Sequence, residues 1–159
     1  MLDCCSINVE EKVAPRVMSC PVSGTRSKQV DMIPVKSLTR HLRFVMPPAQ
    51  YYLCSAPGCD VVYFPLNPTA PTFRRADLLV EVGVKKLDDP IPLCYCFGVT
   101  REDIRNEVRQ SGKSSAAERI TAEVKADKCA CEVKNPSGKC CLGDVIRAIR
   151  EAVQTLDAR

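Results

Sequence analysis

Cys94-Tyr95-Cys96-Phe97-Gly98-Val99-Thr100-Arg101-Glu102-Asp103-Ile104 sets two cysteines, one residue apart, directly before a helix start. Thr100 is a good N-cap, and Glu102 and Asp103 favour the first turn. Ile104 and Val108 lie four apart on one face, and Gln110-Ser111-Gly112 ends the helix. Ser114 or Ser115 caps a second helix that buries Ile120 and Val124. Two further cysteine pairs follow, Cys129-Ala130-Cys131 and Cys140-Cys141. The latter leads into the strongest helix of the chain, whose Leu142, Val145, Ile146, Ile149 and Val153 keep the 3.6-residue period. A helix start offers free N–H groups and the positive end of the dipole, and both stabilise a thiolate. Cys131 stands at the near end of the loop Asn135-Pro136-Ser137-Gly138, which can turn it back towards Cys141. Thiolates converging in this way make a soft-metal site, and four of them complement an iron–sulfur cluster.

Upstream, Gln50-Tyr51-Tyr52-Leu53-Cys54 and Asp60-Val61-Val62-Tyr63-Phe64 read as strands joined by the turn Ser55-Ala56-Pro57-Gly58. This hairpin carries Cys54 and Cys59 on the two sides of its turn and forms, with Cys20, a first cysteine group. Pro34 to Leu42 fits a strand or a short helix equally well. Ala76 to Val84 reads as a strand closing the sheet, and Leu87-Asp88-Asp89-Pro90-Ile91-Pro92 as a linker. Residues 1–19 show no period and are expected to be a flexible arm. The expected organisation is therefore α+β: a small β domain over 20–86, then a small all-α domain over 87–159, each small enough to need a metal as a staple.

Composition narrows the function. The chain has 159 residues, 45% of them hydrophobic, and a formal charge of +4 spread among acidic residues. With eight aromatic residues and no Trp, it offers no stacking surface for single-stranded nucleic acid, so no nucleic-acid partner is expected. No apolar run reaches the ~18 residues of a membrane helix, and Met1 to Ser6 lack the pattern of a signal peptide. A cytoplasmic protein with no membrane insertion is expected, in which eleven reduced cysteines read as ligands rather than disulfides. No two cysteines stand three apart, which argues against a zinc ribbon, a thioredoxin-type pair and a CxxC heavy-metal loop. A single histidine leaves no Ser/His/Asp set, and the glycines are too scattered for a phosphate loop.

The stretch from Cys94 to Ile104, followed by Cys131 and then Cys140-Cys141 at a helix start, resembles the bacterioferritin-associated-ferredoxin-like [2Fe-2S] domain. The loop Asn135-Pro136-Ser137-Gly138-Lys139-Cys140-Cys141 is more similar still to the N-terminal region of CopZ-type copper chaperones, where that domain follows a small zinc-binding domain. Tyr52-Leu53-Cys54-Ser55-Ala56-Pro57-Gly58-Cys59-Asp60-Val61-Val62-Tyr63-Phe64 resembles the signature of the zinc domain. The resemblance spans roughly residues 18–155. It implies a [2Fe-2S] cluster on Cys94, Cys96, Cys131 and Cys141, with Cys140 as rival for the last place. Cys141 is preferred because it touches the helix start. Cys129 is then a spare thiol, either without a role or open to copper.

The same resemblance implies a tetrahedral zinc on Cys20, Cys54 and Cys59, with a structural role. The family commonly opens on CPxC, whereas Cys20-Pro21-Val22-Ser23 puts a serine, a poor zinc ligand, where the second cysteine would stand. The fourth ligand stays open among Asp60, His41, Cys4 and Cys5. Cys4-Cys5 is also a candidate pair for Cu(I), alongside Cys129. The expected function is copper or soft-metal handling with one-electron redox and a metal-chaperone role, and no conventional catalysis beyond reduction of Cu(II) to Cu(I). The expected partners are an electron donor and a copper carrier or copper-transporting ATPase. CopZ-type chaperones add a C-terminal CxxC domain that this sequence lacks, so the chain is expected to be a front module, a fragment or a partner acting in trans. The alternatives are a [2Fe-2S] electron carrier or redox sensor unrelated to copper, and a zinc-stapled interaction module.

Overall fold

The computed structural model describes residues 13–40 and 49–158. Cys4, Cys5 and His41 lie outside the described residues. An antiparallel sheet of five short strands comes first, in the spatial order β1 (Val17–Ser19), β2 (Arg26–Val30), β3 (Tyr51–Leu53), β4 (Val61–Pro65), β5 (Phe73–Arg74). The β3–β4 hairpin read from the sequence is present, with Tyr52 opposite Phe64 and Leu53 opposite Tyr63. Every residue of β4 is buried, as expected of a central strand covered on both faces. The register shifts between Val61 and Tyr63, and this irregularity sends the two side chains to different cores. Val61 packs with Tyr52, Phe64 and the three cysteines, while Tyr63 packs with Tyr51, Phe73, Leu78 and Val82.

The segment that fitted either a strand or a helix is α1 (Met32–Leu38). Pro34 sits in its first turn, where no intrahelical N–H bond is lost, and Val35 and Leu38 face the sheet. Two expectations need correction. Val17–Ser19 is the edge strand of the sheet rather than part of an arm, because its backbone pairs with Arg26–Lys28 although its side chains are largely exposed. Residues 76–84 are not a strand. They run through two 3-10 turns, Arg75–Asp77 and Gly83–Lys85, and their one bridge goes from Leu78 to Thr39 at the end of α1, outside the strands. Only Leu78 and Val82 of that apolar run enter the core, while Leu79 and Val84 face solvent.

The second half is mostly helical: α2 (Arg101–Ser111), α3 (Ala116–Lys125), α4 (Cys131–Lys134) and α5 (Leu142–Asp157). Thr100 closes a reciprocal capping box with Asp103, and Gly112 ends α2 in the left-handed conformation at φ 75°. Ile104, Val108, Ile120, Val145 and Ala148 form the core between α2, α3 and α5, together with Cys94 and Cys141. The half is not all-α. β6 (Pro92–Cys94) pairs with β7 (Val99–Thr100), and this hairpin folds the CxC step into its turn. α4 lies ahead of the loop Asn135-Pro136-Ser137-Gly138, in residues for which the sequence pattern indicated no element.

The halves are docked. α1 packs on α4, and the Ser37 hydroxyl donates to the Val133 carbonyl at 2.6 Å. The buried Tyr63 hydroxyl donates to the Pro136 carbonyl at 2.6 Å. Gly138, at φ 68°, lies against the Pro34 ring, where an added Cβ would stand 3.1 Å from Cγ. Among the described residues no helix is long and apolar enough to cross a membrane.

Candidate metal centres

Cys20 follows β1 at the start of a tight turn, with its carbonyl accepting from Gly24 N–H at 2.8 Å. Cys54 follows β3 and still pairs with Val62 across the hairpin, while Cys59 closes the Ala56-Pro57-Gly58 turn. Their sulfurs all lie within 4.8 Å of one another, the only such group of three or more candidate ligands among the described residues. Cys20 and Cys59 are 4.0 Å apart at sulfur. Two thiolates at ~2.3 Å from one tetrahedral zinc stand ~3.8 Å apart, so the spacing suits a shared ion. All three are buried, at 5% exposure or less.

Ser23 stands beside the three thiols. Its hydroxyl lies 3.5 Å from the Cys54 sulfur, which places the serine of Cys20-Pro21-Val22-Ser23 at the site rather than away from it. Asp60 turns outward to Arg74 at 3.3 Å and stands outside the three-thiol group. Burial, the largest influence on Cys54, raises its pKa. Hydrogen bonds from Ser23, the Ala56 backbone, Lys85 and Cys20 outweigh it and bring the thiol down to about 7. Cys59 is pushed up by burial and by its sulfur neighbours.

The second set is arranged differently. Cys96 and Cys131 sulfurs are 3.6 Å apart, and the Ala130 N–H donates to Cys96 at 3.2 Å. Cys94 is brought down to about 6, chiefly by Cys141, with the Phe97 and Cys96 N–H groups adding to it against burial. Cys141 is pushed up by Cys94 and by burial. Cys131 is raised to about 11, chiefly by burial and then by Cys96 and Cys140, against the Cys141 N–H. Cys94 and Cys141 are buried, Cys96 and Cys131 half-buried, and Cys129 and Cys140 exposed. Cys141 stands at the N-cap of α5 and Cys131 at the first residue of α4. Cys94, Cys96, Cys131 and Cys141 thus border one helical core, with only Cys96 and Cys131 in sulfur contact, and the four are not gathered as closely as the first group, while Cys140 is exposed.

Two residues at these sites were not singled out from sequence. Lys85 is 2% exposed and donates to the Ala56 carbonyl at 2.9 Å, and its influence lowers the Cys54 thiol. Tyr95, between two cysteines of the second set, accepts from Gly83 N–H at 2.8 Å and donates to the Glu81 carbonyl at 3.1 Å. In sequence, Lys85-Lys86 reads as a solvated pair, and only the 3-10 turn directs the first of them inward.

A sheet with three buried thiols on adjoining turns defines a zinc-domain protein. Residues 17–78 match the family model zf_CopZ, a zinc binding domain. The X-ray structure of the Archaeoglobus fulgidus CopZ N-terminal domain superposes with a TM-score of 0.66 at 33% identity, covering 82% of this chain and 96% of that one. The chain belongs to the family of that CopZ N-terminal domain. It is also 34% identical over 125 residues to the copper chaperone CopZ of A. fulgidus, covering 79% of this chain and 58% of the relative's length.

Proposed function

We propose that this protein handles copper or a similar soft metal with two built-in centres. Zinc on Cys20, Cys54 and Cys59 staples the sheet, and a [2Fe-2S] cluster on Cys94, Cys96, Cys131 and Cys141 serves one-electron chemistry. The observation that carries this reading is the Cys96–Cys131 sulfur contact at 3.6 Å beside Cys94 and Cys141, all four bordering one helical core. A two-iron cluster takes four thiolates, two on each iron. The Ala130 N–H donates to Cys96, and the N–H groups of Cys96, Phe97 and Cys141 pull down the neighbouring thiols, which favours their anionic form.

One-electron transfer is the chemistry that such a cluster supplies when bound. The chain's own residues determine where electrons pass: Cys96 and Cys131 reach the surface, whereas Cys94 and Cys141 are sealed in the helical core. Copper enters as substrate. Thiolates prefer the cuprous ion, and exposed Cys129 stands two residues from Cys131. Reduction of Cu(II) to Cu(I) consumes one electron, which an external donor must replace. The cuprous ion then passes to a copper carrier or a copper-transporting ATPase in the cytoplasm. Support comes from the CopZ-type zinc domain and from the relative named as a copper chaperone.

The test is protein purified without oxygen, with iron, sulfide and zinc counted per chain, then titrated with Cu(II) and Cu(I) while visible absorbance is followed. Two irons, two sulfides, one zinc and reoxidation by Cu(II) are expected. A coloured protein indifferent to copper would make it an electron carrier or redox sensor. A colourless zinc protein would make it a zinc-stapled interaction module.

A further inference from the structure

The three-thiol pocket poses a charge problem that its ligands do not solve. Three thiolates and a divalent ion leave one net negative charge, and the cysteines are at most 5% exposed. An uncompensated charge in such a pocket is costly. The buried cation beside it is Lys85, 2% exposed, whose ammonium donates at 2.9 Å to the carbonyl of Ala56, a residue that packs with the three cysteines. A lysine is not buried for its stem alone, since long cationic side chains ordinarily keep their heads in water.

The placement of Lys85 is constructed. It ends the 3-10 turn Gly83–Lys85, whose backbone closes through Lys85 N–H to Val82 O at 2.9 Å. Gly83 is locked from the other half: its N–H donates to the Tyr95 hydroxyl, and a Cβ added to it would run into the Pro92 carbonyl oxygen. Lys85 lies beyond residues 17–78, the stretch that matches the zinc binding domain. The cation for the first site is therefore supplied by a turn held in place by the second half of the chain.

The geometry points to Lys85 as the counter-charge of the three-thiol centre: a positioning residue that neutralises the loaded M(II)–trithiolate and sets how tightly the divalent ion is held. This assignment rests on the zinc reading above. The zinc itself would sit on Cys20, Cys54 and Cys59, with the Ser23 hydroxyl beside them.

The test compares the full chain with Lys85→Gln, which keeps a donor for Ala56 but drops the charge, and with Lys85→Met, which drops both. Zinc affinity is measured by competition with a chromophoric chelator. Both variants are expected to bind 10–100-fold more weakly, the usual cost of losing an outer partner of a metal ligand. With Co(II) as the probe, the sulfur-to-metal charge-transfer band should move to longer wavelength in both, because sulfur relieved of a nearby positive charge gives up its electrons more easily. A variant that is unfolded when metal-free is read by the zinc concentration at which circular dichroism recovers. A 10–100-fold rise in that midpoint supports the assignment, and failure to recover at a thousandfold excess indicates lost packing and overturns it. Wild-type affinity in Lys85→Gln with a loss only in Lys85→Met would show that the hydrogen bond, not the charge, matters, and would overturn it. Unchanged affinity in both would do the same while leaving the zinc reading intact. A wild-type chain that holds no zinc would remove both.

Discussion

Cys20, Cys54 and Cys59 meet as one sealed group, whereas Cys94, Cys96, Cys131 and Cys141 are spread along one helical core, two of them buried and two, in sulfur contact, half-buried. The ligand is the same in both places, and the surroundings differ. Around the first group stand two strand ends, a serine hydroxyl and a buried ammonium. Around the second stand backbone N–H groups at a hairpin turn and at the starts of α4 and α5. A closed thiol group with a cationic side chain suits an ion that stays. A half-open one polarised by amides suits a centre that exchanges electrons with something outside.

The sharpest way to break this contrast is to remove one ligand from each site. Cys54→Ser should abolish zinc retention and unfold the sheet half, because a small metal domain takes on the order of 10 kcal/mol from its ion. Near-UV circular dichroism and zinc content would report it, and a chelator should mimic it on the unaltered chain. If the sheet survived both, the first site would not be a staple. Cys141→Ser should remove the iron and sulfide of the second site while sparing zinc, whereas Cys140→Ser should keep all of the iron. Equal losses from the two serines would mean that burial beside Cys94 does not select the ligand.

Legibility in the sequence divided along the same line. The hairpin with its two cysteines could be read because strand composition and a Pro-Gly turn are local signals. So could α2, from its cap Thr100 to its stop Gly112, and α5 behind Cys141. Hidden were the features that arise only when distant segments meet. Val17–Ser19 is a strand because Arg26–Lys28 pairs with it, and its own exposed pattern carries no such message. Residues 76–84 read like a strand, yet they pair with no strand of the sheet and form a single bridge, to Thr39 at the end of α1. Lys85 and Tyr95 acquire roles through one 3-10 turn packed between the halves, and nothing in Lys85-Lys86 or Cys94-Tyr95-Cys96 announces it. The three-thiol group was visible as residues, but that Ser23 faces Cys54 while Asp60 turns to Arg74 was not.

The comparison also concerns how the two regions are joined. Tyr63 belongs to the sheet core, and its hydroxyl ends on Pro136, in the loop that runs from Cys131 to Cys140. Tyr63→Phe removes that donor and leaves a carbonyl acceptor buried without its partner, a loss of about 1–3 kcal/mol. A drop in thermal midpoint is expected, together with a changed visible circular dichroism of the iron-loaded protein. If stability falls but the visible spectrum is untouched, the sheet supports the loop without shaping the second centre.

The smallest effect comes from the linker. Asp89 accepts from Arg101 Nε at 2.8 Å and also pairs with Arg105, so the segment between the halves is tied to the first turns of α2. The Arg101 hydrogen bond is the main cause holding the Asp89 carboxyl below its ordinary range; burial opposes it, and the charges of Arg101 and Arg105 assist. A carboxyl depressed by folding stabilises the fold fully above its unfolded value of about 3.9. The contribution then declines as pH falls and is gone once the folded group is protonated. Asp89→Asn should therefore cost about 1 kcal/mol at pH 7, between the worth of an exposed ion pair and that of a buried charged hydrogen bond. Denaturant melts of both proteins across pH 2 to 7 cancel the other carboxylates. The gap between them should stay constant down to about pH 4 and close below it. A gap that persists at pH 2 would mean that the substituted amide fails for reasons of packing, and that the tie between linker and α2 is steric rather than ionic.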